Sequence, residues 1–159
     1  MAEQSAAIEA AHPPELMLKV INPILRQALR SPLGSRITEF MLVRFTGRKS
    51  GRQFAVPVSA HHLDGKLYVV LEAQWKYNFR DGADAQVSHG GKTTAMRGVL
   101  ITDKPTVADI THRLAQSYGA KRAQRTMGLK FRDDRLPSAA DWTEAVERLK
   151  IAAIHLSPR

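Results

Sequence analysis

A mainly β fold of the α+β class, an antiparallel sheet or barrel with flanking helices, is what this 159-residue chain predicts. Three observations carry that prediction. Apolar strand-like runs follow one another at short intervals, tight turns such as Asp64-Gly65 and Gly90-Gly91 join them, and no helical crossover separates them. Parallel strands need such crossovers. Neither a glycine fingerprint opening a helix nor a Gly-x4-Gly-Lys frame is present, which excludes the Rossmann and Walker A types of nucleotide site.

The elements follow in order. Residues 1–14, rich in Ala, Glu and Gln and ending in His12-Pro13-Pro14, read as a flexible tail, leaving 15–159 as a single domain. Leu16, Val20, Ile21, Ile24, Leu25 and Leu29 fall at helical spacing, interrupted at Asn22-Pro23. This basic helix either packs on the sheet or lies on an acidic membrane surface through residues 16–30. Strands are expected over 38–45, 53–62 and 66–71, a helical turn over 75–82, and a further pair over 85–89 and 93–102. A helix is expected over 105–119, where Val107, Ile110, Leu114 and Tyr118 keep its period. Residues 120–137 carry six cations against two acids and read as a loop or irregular helix. A helix over 138–150, opened by a Ser138 cap, and a strand over 151–156 complete the chain.

Composition narrows the function classes. A formal net charge of +9 and a pI of about 10.3 favour an anionic partner. Nucleic acid is set aside, because no zinc spacing or RNA-binding aromatic signature accompanies the charge and only 6% of residues are aromatic. The absence of cysteine removes disulfides, thiolate metal sites and cysteine nucleophiles together, and fits a cytoplasmic location. No apolar run approaches the roughly 18 residues of a membrane span, and no secretory leader is visible, so membrane association would be peripheral.

The segment richest in chemistry is Thr46-Gly47-Arg48-Lys49-Ser50-Gly51-Arg52, a turn with three cations and no acid, flanked by strands. Successive amides in such a turn form an anion-binding concavity that Arg48 and Lys49 can reinforce. Its alternative is a solvated hairpin loop in which glycine supplies the turn geometry. His61 and His62 are neighbours on an expected strand, point to opposite faces and make poor joint metal ligands, so no metal site is expected. No catalytic triad or His-Glu-x-x-His pattern occurs, and no catalytic residue is assigned.

Three segments in order, the basic turn, Pro57 with Asp64-Gly65-Lys66-Leu67-Tyr68-Val69-Val70, and Trp75-x-x-Asn78, resemble the deazaflavin-dependent nitroreductase family. The closing Lys150-Ile151-Ala152-Ala153-Ile154-His155-Leu156 is similar to that family's last strand, and the likeness covers roughly residues 16 to 156. The resemblance implies a split β-barrel of the FMN-binding kind and coenzyme F-420 as cofactor, with FMN the alternative. It implies a cofactor site of Arg48, Lys49, Ser50, Gly51, Arg52, Pro57, Trp75 and Asn78, with the turn holding the phosphate and Arg44 and Arg52 meeting the acidic tail. Ser59 and Tyr118 are candidates for a substrate pocket. Phe54 stands where the family usually carries Arg, and only Glu72-Ala73-Gln74 separates the third strand from Trp75, a shorter connection than is usual.

The expected activity is that of an oxidoreductase delivering hydride from reduced deazaflavin to a quinone, nitro compound or activated alkene. In such enzymes the cofactor carries the hard chemistry, so the absence of a triad is no obstacle. The alternative is a non-catalytic protein on the same barrel, binding a flavin, a haem-derived ligand or a lipid. The sequence carries no signal for oligomeric state.

Overall fold

The computed structural model describes residues 6–11, 26–29 and 38–159. The described residues pack as two compact units, one from 6–11, 70–72 and 101–153 and the other from 26–29, 38–69, 73–100 and 154–159.

The second unit is built on strands β2 (Phe40–Thr46), β3 (Gln53–Ser59), β4 (His61–Leu63), β5 (Lys66–Leu71), β6 (Ala83–His89), β7 (Lys92–Ile101) and β9 (Ala152–Pro158). They form one sheet in the order β3-β2-β6-β7-β9-β5-β4. The two ends of that order, β3 and β4, are consecutive in the chain and separated only by Ala60. A single run of chain therefore pairs with β2 through its first half and with β5 through its second, and the sheet closes on itself. This is a split β-barrel. The strand expected over 53–62 is thus two strands, bent at Ala60, whose amide donates to the Glu39 carbonyl at 2.8 Å.

Register sorts the two faces. Met41, Val43 and Phe45 of β2 share one face with Val56 and Val58 of β3 and with Ala85 and Val87 of β6, and Met41, Val43, Phe45, Ala85 and Val87 are buried there. The opposite face carries Arg44 beside Ala55 and Gln86, then Leu42 beside Pro57 and Ser88. Asp64 and Gly65 both take positive φ, 53° and 74°, the conformation that a two-residue hairpin between β4 and β5 needs. A 3₁₀ turn, Gln74–Phe79, follows β5 and plugs the barrel with fully buried Phe79. Gly98 of β7 makes room for it: a Cβ there would lie 2.6 Å from Phe79 Cδ1 and 3.1 Å from Ile154 Cγ2.

The first unit is helical, with α1 (Lys104–Tyr118), α2 (Ala120–Met127) and α3 (Ala139–Leu149). Asp103 caps α1 by accepting from the Thr106 amide, and Ser138 and Asp141 form a reciprocal capping box on α3, as the serine predicted. Trp142, Phe131, Val107, Ala115 and Ile8 form its core. Two expectations change here. Ile8–Ala10, within the stretch read as a tail, is strand β1, paired antiparallel with β8 (Leu129–Phe131) through Ile8 and Phe131, both buried. The 120–137 stretch holds α2, β8 and a 3₁₀ turn, Arg132–Asp134. Its exposed cations mask the few buried positions, Ala123, Leu129 and Phe131, that set the structure. Most of the helix expected from Leu16 lies outside the described residues; 26–29 are helical. Among the described residues no helix is long and apolar enough to cross a membrane.

His61 is buried, and that burial, with the neighbouring His62, lowers its pKa to about 4. His62 faces the other way and meets His89 at 5.7 Å between ring centroids. Among the described residues no group of three or more possible ligands could hold a metal ion.

Two stability tests follow from this packing. Gly98→Ala should cost about 1–3 kcal/mol through overpacking against Phe79, read as a drop in Tm. Between the ordinary histidine pKa of 6.5 and about 4, the unfolded chain takes up a proton that buried His61 refuses. Stability should therefore fall as pH drops through that window, by on the order of 3 kcal/mol, and then level off. Urea unfolding across pH 4 to 7.5 measures this slope, and His61→Gln should flatten it.

Candidate functional site

The basic turn joins β2 to β3, and its internal hydrogen bonds decide which groups remain open. The Gly47 amide donates to the Arg52 carbonyl at 2.8 Å, the Gly51 amide to the Gly47 carbonyl at 3.0 Å, and the Arg52 amide to Ser50 Oγ at 3.2 Å. Glycine is needed at 47 because a Cβ there would meet the Phe54 ring at 2.8 Å. The Arg48 amide donates to Asn78 Oδ1 at 2.9 Å, and Asn78 Nδ2 donates to the Trp75 carbonyl at 2.8 Å. The amides of Lys49 and Ser50 take no partner among the described residues. These two successive N–H groups, with the Lys49 ammonium, are the donors the turn leaves open, in the arrangement that suits an anion.

Arg48 does more structural work than its position suggests. Its Nη1 donates to the carbonyls of Tyr77 at 3.4 Å and Arg80 at 3.1 Å, so its guanidinium ties the turn to the far end of the 3₁₀ segment. Between them opens a cleft of about 770 Å³, lined by Gly47, Arg48, Lys49, Ser50, Phe54, Gln74, Tyr77, Asn78 and Arg80. Three of these are cations and none is an acid. The Arg80 guanidinium lies over the Tyr77 ring at 5.0 Å, which fixes a third positive charge on the rim.

Behind the cleft stands an aromatic stack. Phe45 is stacked on Phe54 and on Trp75, each at 5.4 Å, and meets Phe79 edge-on at 5.2 Å. Trp75 therefore supports the wall through Phe45, while Phe54 is the aromatic residue of this stack that lines the cleft.

The structure brings Arg48, Lys49, Ser50 and Asn78 together around one opening. Gly51 shapes the turn with its amide already used, and Arg52 turns its guanidinium to the Phe54 ring at 5.9 Å. Pro57 and Ser59 lie on the Arg44 side of the sheet. Arg44, expected with Arg52 to meet the acidic tail of the cofactor, lines a different cleft from Lys49. Tyr118 belongs to the helical unit, where it packs against the core with Arg122 over its ring at 5.0 Å. Gln74, Tyr77, Arg80 and Phe54 line the turn cleft without having been selected from sequence; the Lys76-Tyr77-Asn78-Phe79-Arg80 run, a cation on either side of Tyr77, was the available signal.

No family model and no curated protein matches the chain. Similar solved structures include a pyridoxamine 5'-phosphate oxidase-related, FMN-binding protein from Nostoc punctiforme, 14% identical over 86% of this chain and 79% of that one, with a TM-score of 0.47. An F420-H2-dependent reductase is 18% identical over 75% of this chain and 94% of its own, at a TM-score of 0.40. A conserved hypothetical protein from Mycobacterium tuberculosis is 10% identical over 99% and 86%, at 0.45. Likeness at this level says nothing of ligand or chemistry, and the split barrel rests on the strand order itself.

Removing the Asn78 amide should release the turn. Asn78→Ala deletes two hydrogen bonds and should cost about 1–2 kcal/mol in urea unfolding. Tryptic cleavage after Arg48 and Lys49 should quicken under native conditions, and unchanged cleavage would show that the clamp is not what orders the turn.

Proposed function

We propose that this protein is an oxidoreductase that binds a deazaflavin of the coenzyme F-420 type in the turn cleft and uses it to reduce a quinone, nitro compound or activated alkene. The observation that carries this reading is the pair of unpartnered amides at Lys49 and Ser50, set beside the Lys49 ammonium at the mouth of an acid-free cleft. Such a cradle fits a phosphate group, and a volume of about 770 Å³ falls within the range of small-molecule sites. The residues present therefore fit the group.

In this reading Lys49 and the two amides hold the phosphate, while Arg80 and the remaining Arg48 donors attract the acidic tail. Phe54, backed by Phe45 and Trp75, supplies an apolar wall and helps to exclude water. When bound, the deazaflavin supplies a two-electron hydride. The chain's own task is to hold the reactive ring in one orientation with one face open to a second molecule. The short connection from Leu71 to the 3₁₀ turn, Glu72 and Ala73, leaves little chain to cover that face. FMN presents the same phosphate chemistry to the same cradle, and titration separates the two cofactors.

The test is a fluorescence titration with coenzyme F-420, followed by mixing with reduced cofactor and a panel of quinones, nitroaromatics and enones. Saturable binding and protein-dependent reoxidation are expected. Lys49→Ala should weaken binding by about 1.5–3 kcal/mol with no change in Tm of the ligand-free protein, whereas Arg48→Ala should lower Tm as well. Saturation by FMN alone would reassign the cofactor. Binding without reoxidation across the panel would make the protein a carrier or binding module.

A further inference from the structure

A second cleft, of about 570 Å³, opens over β2, β3 and β6. Its polar lining comes from Arg26, Arg44, Thr46, Gln53, Asp84 and Gln86. Gln53 Nε2 donates to Thr46 Oγ1 at 3.0 Å, so both of these side chains are already engaged. Asp84 is answered from outside the cleft by Arg159 Nη1 at 3.1 Å and Arg97 Nη1 at 3.7 Å, so its charge is already met. Two guanidiniums are left.

Arg44 is the unusual one. It sits half-buried in the middle of a sheet face, in register with Ala55 on one side and Gln86 on the other, both neutral. It makes no ion pair among the described residues, and its Nε is buried with no hydrogen-bond partner. An arginine that merely lays its stem across apolar surface keeps its donors in water. Burying a guanidinium donor unpaired is costly, and the Nε edge belongs to the fork that pairs two oxygens of a carboxylate or phosphate. Arg26, from the helical segment 26–29, adds a second positive charge at the same opening. The volume exceeds what a bare ion needs and suits a small organic molecule.

We propose that this cleft binds a small molecule bearing a carboxylate or phosphate group, gripped by Arg44 and assisted by Arg26. The site is separate from the turn cleft and holds whether or not a deazaflavin binds there. An anionic head takes the Arg44 fork, and the body of the ligand lies over Ala55 and the backbone of β2 and β3. The neutral amide of Gln86 offers a hydrogen bond without competing for the charge.

Calorimetric titration with benzoate, phenyl phosphate and neutral benzamide tests this on four proteins: wild type, Arg44→Gln, Gln86→Glu and Lys49→Ala. Wild type should bind at least one of the two anions saturably and benzamide not at all; the tighter anion tells carboxylate from phosphate. Arg44→Gln should weaken binding tenfold or more. Gln86→Glu places a carboxylate in register with Arg44, so it should abolish binding while raising Tm, which keeps the test decisive if Arg44→Gln folds poorly. Because the turn cradle is itself proposed to take a phosphate, Lys49→Ala isolates this cleft, and saturable binding of at least one anion should remain there. Its loss in Lys49→Ala with retention in Arg44→Gln would move the anion to the turn cleft and overturn the proposal. Absence of saturable binding, or equal binding of benzamide, would overturn it as well.

Discussion

The barrel depends on one bend. Strands β3 and β4 are a single run of chain turned at Ala60, and because that run pairs with β2 through one half and with β5 through the other, it joins the two ends of the sheet. The bend is held by the Ala60 amide on the Glu39 carbonyl, and Ala60 itself is nearly inaccessible to solvent. A larger side chain at this corner would have to be accommodated within the packing. Closure brings the β2–β3 turn and the 3₁₀ segment after β5 to the same part of the barrel, where Arg48 and Asn78 join them.

That junction divides labour between two adjacent cations. Arg48 spends its amide and part of its guanidinium on the protein, whereas Lys49 keeps both its amide and its ammonium available. The geometry of the guanidinium suits the first task, since a rigid fork can satisfy two carbonyls at once. A lysine suits the second, as a mobile point charge on a flexible stem. The cationic turn is thus one part clamp and one part open donors, and its seven residues are not equivalent.

Aromatic packing links the turn to the core. Phe45 touches Phe54, Trp75 and Phe79, and through Phe79 the stack reaches Gly98 and Ile154 inside the barrel. Phe54 contributes to the lining of both clefts, one on each side of the β2–β3 ribbon. The two openings differ in make: one presents backbone amides, Lys49, Arg48 and Arg80, the other two guanidiniums, Arg44 and Arg26, with Asp84 already paired.

Local chemistry was legible in the sequence. Asp64-Gly65 announced its hairpin because few residue pairs tolerate two positive φ values, and Ser138 announced a helix start because a hydroxyl satisfies an orphan amide. Mainly β architecture followed from such signals and from hairpin spacing. What the tertiary structure alone decided are the relations between distant residues: Ile8 pairing with Phe131, one strand serving both edges of a sheet, Arg44 facing a different opening from Lys49, and Tyr118 packing in the helical unit. Periodicity tells which face of a strand is buried, but not what chain comes to cover it. Nor does residue type tell whether an amide or a guanidinium is already spent, because its partner sits some thirty positions away at Asn78 and Arg80. Hydrogen-bond saturation is a property of the folded neighbourhood, and so the sequence marked the turn while only the fold separated its engaged groups from its open ones.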